Sequence, residues 1–195
     1  MSTSQNHPVL SYLQTLMTEN NPLYAIVDAA QSDYIIQLLY QHSEKTEIQS
    51  LFEGKKGQEM ASVAPYLVSF TTPDHPLLLT LVEKGWGNHW GVYLRCSGGF
   101  EAVRKQLRQC IRVKGSDGDY RQFRFYDPRV FIEYMPTFDA NQLSLFFGEI
   151  NSYWVADANK TAFNYQLDKQ QLLIQRIDET QAVSESDNPS PLNTE

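Results

Sequence analysis

The run YRQFRFYDPRVF at Tyr120–Phe131 constrains the fold more than any other segment, because aromatic residues and arginines alternate and then stop at Asp127-Pro128. Successive side chains of a strand point to opposite faces, so the alternation predicts a strand over about 119–126. One face of this strand would carry Arg121, Phe123 and Phe125, and the other would carry Gln122, Arg124 and Tyr126. Proline fixes φ and lacks a backbone donor, so Pro128 ends the strand and favours a helix start.

The rest of the chain alternates between apolar runs and stretches of helical periodicity. Compact runs at Leu23–Val27, Tyr66–Phe70 and Trp90–Arg95 are typical of buried strands. Helical spacing of apolar residues follows each run, while Gly54–Gly57 predicts a loop. This order predicts an α/β fold in which a mixed, partly parallel β-sheet is flanked by crossover helices.

Three regions differ in composition. Residues 1–20 contain Pro8 followed by apolar residues at helical spacing, which predicts a short N-terminal docking helix. Residues 21–178 hold the apolar runs and are predicted to form a single α/β domain, since 195 residues with 42% hydrophobic content suffice for a substantial core. Residues 179–195 are poor in apolar residues and rich in Ser, Asn, Pro and acid, which predicts an acidic disordered tail.

Positive charge is concentrated in one segment of a chain whose formal net charge is -7. Between Glu101 and Arg129 lie eight of the 16 basic residues and only four acidic ones. Within this segment, Phe100–Arg112 has the pattern of an amphipathic helix with arginines on its polar side. Such a basic side has three interpretations: a solvated surface, a contact for nucleic-acid phosphates, or a contact for an acidic protein surface.

Arginine favours the protein contact, because its guanidinium fork holds carboxylates in pairs and stacks on rings. The negative net charge and the lack of an RNP-like, helix-turn-helix or zinc-finger signature argue against nucleic acid. Tryptophan is enriched at interfaces, so the indoles of the GWGNHWG segment are added as anchors. The predicted partner-binding residues are Arg104, Arg108, Arg112, Arg121, Arg124, Arg129, Trp86 and Trp90.

No pattern typical of catalysis or metal binding is readable. The four histidines are scattered, and neither HExxH nor Cys-Xaa-Xaa-Cys nor Gly-Xaa-Ser-Xaa-Gly occurs. We therefore expect no catalytic residue, no metal and no cofactor. Asp28 and Asp127 each end a predicted strand beside a turn, where aspartate usually caps or hydrogen-bonds the backbone. Tyr126, Asp127 and Pro128 are expected to hold the geometry of the motif.

Targeting and membrane signals are not readable either. The segment MSTSQNHPVL lacks a basic region followed by an apolar core, and no apolar run approaches the roughly 18 residues of a membrane span. Cys96 and Cys110 do not form the pattern of a secreted disulfide framework and are expected to be free thiols. The sequence thus predicts a cytoplasmic protein without a membrane partner.

Five segments, in this order and spacing, resemble a bacterial family of type VI secretion effector adaptors, also called effector chaperones or Tap proteins. The resemblance spans about Leu23–Trp154, and its specific part is FRFYDPRV beside the basic helix. Ala29 and Glu149 depart from the family pattern, which often has glycine and proline there. The five segments are YAIVDAA, APYLVSF, FEAVRKQLRQCIRV, FRFYDPRV and FFGEI, starting at Tyr24, Ala64, Phe100, Phe123 and Phe146.

The resemblance implies a non-catalytic adaptor domain that binds a toxic effector protein in the bacterial cytoplasm and loads it onto a VgrG spike subunit or its PAAR tip. The alternative is a small enzyme that acts on an anionic substrate through a cleft formed by Arg124, Asp127 and His89. A nucleic-acid binder is the third class, for which steep salt dependence would be expected.

Overall fold

The computed structural model describes residues 8–17, 22–43, 46–115 and 117–177. Its α-helices are α1 (Pro8–Thr15), α2 (Asp33–His42), α3 (Gly54–Glu59), α4 (Pro76–Gly85), α5 (Phe100–Cys110), α6 (Pro128–Tyr134) and α7 (Ala140–Phe147). Its strands are β1 (Leu23–Asp28), β2 (Ile48–Ser50), β3 (Pro65–Phe70), β4 (Gly91–Cys96), β5 (Arg112–Lys114), β6 (Tyr120–Gln122), β7 (Ile150–Ala156), β8 (Ala162–Asp168) and β9 (Gln171–Ile177).

A seven-stranded sheet in the order β2-β3-β1-β4-β7-β8-β9 forms the centre, and β5 and β6 pair as a separate hairpin. Every neighbouring pair of strands is antiparallel, so the predicted partly parallel sheet is wrong. Helix α2 does connect strands that run in the same direction, β1 and β2, but β3 lies between them. Helix α4 likewise connects β3 and β4 across β1. This split βαβ arrangement contains crossover helices without adjacent parallel strands.

Helices cover both faces of the sheet, which is the middle of three layers. Leu23, Ala25 and Val27 of β1 pack in the layer that contains α1, α2 and α4. Tyr24 and Ile26 pack in the opposite layer, which contains α5, α6 and α7. All six residues of β1 and all six of β3 are buried, which explains why these strands are mostly apolar and do not alternate with polar residues. Such runs are more typical of parallel sheets, and here an antiparallel sheet has them because both faces are covered.

The strand predicted over about 119–126 is shorter in the structure, because β6 ends at Gln122. Phe125 and Tyr126 are 0% and 1% exposed. Two adjacent residues of a strand point to opposite faces, so a turn is needed to send both rings into the same core layer. The predicted alternation of faces is therefore wrong beyond Gln122. Helix α6 begins at Pro128, as predicted.

Parts of two other predicted segments lie within the described ranges. The predicted N-terminal helix corresponds to α1, whose Leu13 is fully buried, while residues 1–7 and 18–21 lie outside the described ranges. The predicted tail over 179–195 also lies outside them. Gly54–Gly57 is not a loop but the first turn of α3. Gly57 permits this packing, because a Cβ there would lie 2.9 Å from the Phe52 carbonyl carbon.

Candidate functional site

Helix α5 presents its arginines and glutamines on two flanks. Phe100, Val103 and Leu107 point into the core beneath the helix. On one flank, Arg104 reaches the end of β2, where its Nε and Nη2 donate to the Ser50 carbonyl at 3.1 and 3.0 Å. On the other flank, the amide of Gln106 donates to the carbonyl oxygen of Leu145 in α7 at 2.6 Å. A groove runs along each flank.

The first groove, called the charged groove, has a volume of about 440 Å³ and lies between α5, the β5–β6 hairpin and the β2–α3 link. Leu51, Phe52 and Ile111 form its apolar floor. The guanidinium of Arg112 lies over the ring of Tyr120, 4.9 Å from the ring centroid. Tyr120 itself is 63% exposed. The rim consists of Glu53, Arg108, Arg112, Tyr120, Arg121 and Gln122.

Glu53 is the acidic centre of this groove. Its Oε1 lies 3.1 Å from Nη2 of Arg104, and its Oε2 pairs with Nη2 of Arg108. The side chain of Arg104 is only 14% exposed, whereas those of Arg108 and Glu53 are 34% and 46% exposed. Arg104 is thus mainly a structural residue, and Arg108 faces the open part of the groove.

The second groove, called the apolar groove, has a volume of about 280 Å³ and lies between α5 and α7. Phe138 packs against Phe123 in a tilted arrangement and against Phe146 edge to face, with centroid distances of 5.7 and 6.0 Å. Leu145 is 76% exposed and Val113 is 40% exposed, so apolar groups lie on the rim as well as on the floor. The groove is lined by Gln109, Cys110, Val113, Phe123, Phe138, Gln142, Leu145 and Phe146.

Two buried carboxylates anchor the remaining arginines of the motif. Asp28, at the end of β1, is 0% exposed and accepts a 2.6 Å hydrogen bond from Nη2 of Arg124. The same carboxylate accepts from the Ala30 backbone N–H and the Gln31 side chain. The Arg124 side chain remains 43% exposed, so this ion pair fixes the motif to the end of β1 while showing a guanidinium at the surface.

Asp127 combines two tasks at the start of α6. Its Oδ1 accepts from the backbone N–H of Arg129 at 3.0 Å, which caps the helix, and both of its oxygens accept from the Arg129 guanidinium at 2.9 and 2.7 Å. Pro128 occupies the first helical position, where its missing N–H costs nothing. Tyr126 is buried, and its hydroxyl accepts from the amide of Gln122.

The pKa of Asp127 lies below its usual value. Burial opposes ionisation, but the hydrogen bonds from the Arg129 side chain and backbone outweigh it. A carboxylate whose folded pKa is lowered stabilises the fold above its unfolded pKa of about 3.9, and this stabilisation is lost as pH falls through the folded pKa. We therefore expect the Asp127→Asn variant, which keeps a capping oxygen, to lose less stability than wild type between pH 7 and pH 3.

Urea unfolding at both pH values measures this difference. The stability of wild type relative to Asp127→Asn should be greater at pH 7 than at pH 3. Asp119→Asn, at an exposed carboxylate in the β5–β6 turn, is the control with the same change of formal charge. An equal acid-induced loss in wild type and Asp127→Asn would contradict the assignment.

Both tryptophans of the GWGNHWG segment lie on the other side of the sheet from α5. Trp86 is 3% exposed, and its indole N–H donates to the Lys160 carbonyl at 3.1 Å. Trp90 is half-buried, packs against the same layer as α1, α2 and α4, and contacts Tyr34. The predicted anchors are therefore not brought together with the arginines, and Trp86 is part of the core.

The three residues of the alternative enzyme hypothesis are only partly brought together. Arg124 and Asp127 are close in the motif, but within the described ranges no hydrogen bond or ion pair joins His89 to either of them.

Burial raises the pKa of the Cys96 thiol, and it raises the pKa of Cys110 to about 12, so both cysteines remain protonated at neutral pH. Among the described residues, no three His, Cys, Asp or Glu side chains are grouped as metal ligands. Over the same ranges, no helix has the length and apolar character needed to cross a bilayer.

Sequence reasoning missed Glu53, Tyr120 and Leu145. For Leu145 a signal existed, because it falls off the apolar side of α7 formed by Leu143, Phe146 and Phe147. No sequence signal pointed to Glu53, since its two arginines lie more than 50 positions further along the chain.

Fold and site together define a three-layer protein with an antiparallel central sheet, in which a basic helix separates a charged groove from an apolar one. Residues 23–145 match the family described as Domain of unknown function (DUF4123), and the chain belongs to this family. The matched region contains α5, the β5–β6 hairpin and the Arg124–Arg129 motif. No curated protein and no solved structure matches the chain.

Proposed function

We propose that this protein is a non-catalytic adaptor that binds a type VI secretion effector in the bacterial cytoplasm and loads it onto the VgrG spike or its PAAR tip. Support comes from the family match over residues 23–145 and from the resemblance of five segments to effector adaptors. The observation that carries the proposal is the apolar groove, because it combines an aromatic floor with the exposed side chain of Leu145.

The apolar groove is the proposed site for the effector. Exposed apolar patches rimmed by polar residues mark interaction sites, and Gln109 and Gln142 supply such a rim here. Its size suits one or two apolar side chains of an effector segment laid across α5 and α7. An effector docked there leaves the opposite flank of α5, with the charged groove, free for a second protein.

Affinity capture tests the proposal. The tagged chain is purified from a lysate of its own bacterium, washed at moderate salt, and its partners are identified by mass spectrometry. We expect a large toxin-like protein together with a VgrG or PAAR subunit. Recovery of neither protein, with both shown to be expressed, would contradict the proposal, and turnover of an anionic substrate by the purified chain would favour the enzyme instead.

A further inference from the structure

We propose that the charged groove is a binding site for an acidic segment of a partner protein, and that Glu53 is a resident carboxylate that such a segment displaces. This inference rests on the proposed function, since it names the chemistry of a partner for the second flank of α5. It concerns a site that differs from the apolar groove assigned to the effector.

The groove already holds a carboxylate, which shows which chemistry fits it. Glu53 bridges Arg104 and Arg108, one oxygen to each guanidinium. Arg112, on the opposite rim, contributes further positive charge, whereas Arg121 is paired with Asp117. The net charge of -7 disfavours attraction of a nucleic acid to the chain as a whole, whereas a short acidic segment interacts mainly with local charge.

Arg108 has hydrogen-bonding capacity that Glu53 does not use. Its Nη2 pairs with Glu53, but its Nε is buried and has no hydrogen-bond partner. An unsatisfied buried donor is costly, and an arginine fork favours a carboxylate that engages Nε and a terminal nitrogen together. Because the two oxygens of Glu53 are divided between two arginines, this paired contact remains unmade.

Glu53 is also placed so that its side chain can leave without unfolding its surroundings. Leu51 is 2% exposed and holds one side of the link through its backbone N–H, which donates to the Pro65 carbonyl at 2.9 Å. On the other side, Gly57 N–H donates to the Glu53 carbonyl at the start of α3. Because the backbone is held on both sides, rotation of the half-exposed Glu53 side chain is sufficient to release the arginines from it.

Arg104 keeps its position when Glu53 moves, because its two hydrogen bonds to the Ser50 carbonyl do not involve Glu53. Arg104 therefore keeps a fixed positive charge beside the groove, and Arg108 on the rim is the guanidinium that an incoming carboxylate engages. The exposed ring of Tyr120 and the apolar floor at Leu51 and Ile111 offer contacts to the rest of the segment.

The test uses a capped hexaglutamate peptide as the probe and isothermal titration calorimetry as the measurement. Glu53→Gln removes the resident charge with little change of shape, and we expect it to bind hexaglutamate about tenfold more tightly than wild type. Glu101→Gln is the matched control, because Glu101 lies 3.9 Å from Arg104 and is 72% exposed. It should change the affinity less than twofold, and Arg108→Gln should abolish binding.

Several results would overturn the inference. A less than threefold difference in hexaglutamate affinity between Glu53→Gln and wild type would show that Glu53 does not compete with the peptide. Absence of hexaglutamate binding by both proteins, or binding of a dT6 oligonucleotide in its place, would exclude a carboxylate site. Thermal unfolding of each variant establishes that it is folded, and Arg108→Gln provides an independent test if Glu53→Gln is not.

The outcome is separable from that of the proposed function. If the variants bind hexaglutamate in the expected order but neither effector nor spike subunit is captured, the carboxylate site is supported and the adaptor proposal is contradicted. Capture of both proteins with no response to Glu53→Gln would leave the adaptor standing without this site.

Discussion

Replacing Leu145 by glutamate is expected to weaken effector binding at least about 30-fold, the effect of losing one interface hot spot. Leu145 is 76% exposed on the rim of the apolar groove, so its side chain contributes little to the core. A charge at this position must be desolvated when an apolar effector segment covers it. The free energy of unfolding should change by no more than about 0.5 kcal/mol, as for most surface substitutions.

A second leucine provides the matched control. Leu173 in β9 is 47% exposed and lies at the far edge of the sheet. The Leu173→Glu variant introduces the same charge and should bind the effector like wild type. Affinities of the three proteins for the captured effector are compared by biolayer interferometry. An equal loss of effector affinity in both variants would show that the added charge, rather than the groove, controls binding.

Replacing Asp28 by alanine is expected to lower the free energy of unfolding by about 2–3 kcal/mol. Asp28 is fully buried and accepts hydrogen bonds from Ala30, Gln31 and Arg124. Removing one partner of a buried pair costs about 3–5 kcal/mol, and exposure of the Arg124 side chain, 43%, reduces this. For a chain of this size, the melting temperature should fall by about 5–10 °C.

A double-mutant cycle with Arg124→Met isolates the ion pair. We expect a coupling energy of about 1–2 kcal/mol between Asp28 and Arg124. The control is Arg121→Met, which breaks the exposed pair with Asp117, where side chains are 68% and 43% exposed, and should cost about 0.5 kcal/mol at most. If the free energy of unfolding falls no more in Asp28→Ala than in Arg121→Met, Asp28 does not anchor the motif.

Local structure was largely predictable because its causes are local. Ser32 accepts from the Tyr34 backbone N–H and caps α2, the role that a serine before an apolar helical pattern favours. Pro128 starts α6, and Gly118 has a positive φ of 88° in the turn between β5 and β6, a conformation typical of an Asp-Gly pair in a hairpin. Each of these features depends on a few neighbouring residues.

The sheet order was not predictable by the same reasoning. Strand, helix and strand in succession fix the direction of two strands, but they do not determine whether a third strand is inserted between them. In this chain β3 is inserted between β1 and β2, and β1 between β3 and β4. The mostly apolar, non-alternating runs also pointed to a parallel sheet, because burial on both faces hides the difference between the two pairings.

The predicted arginines illustrate the same limit for the site. The sequence concentrates them in one segment, but it does not show which of them already have intramolecular partners. Arg124 and Arg129 are paired with the buried carboxylates of Asp28 and Asp127, and Arg104 and Arg108 share Glu53. Three of these four pairings connect residues that are distant in sequence or separated by a turn, so only the fold assigns them.

Reconstitution from purified components tests the adaptor proposal most directly. The chain, the captured effector and the VgrG subunit are mixed in all pairwise and ternary combinations and resolved by size-exclusion chromatography with light scattering. The proposal predicts that effector and VgrG elute together only when the chain is present. Elution of effector with VgrG in its absence, or failure of the chain to bind either protein, would contradict it.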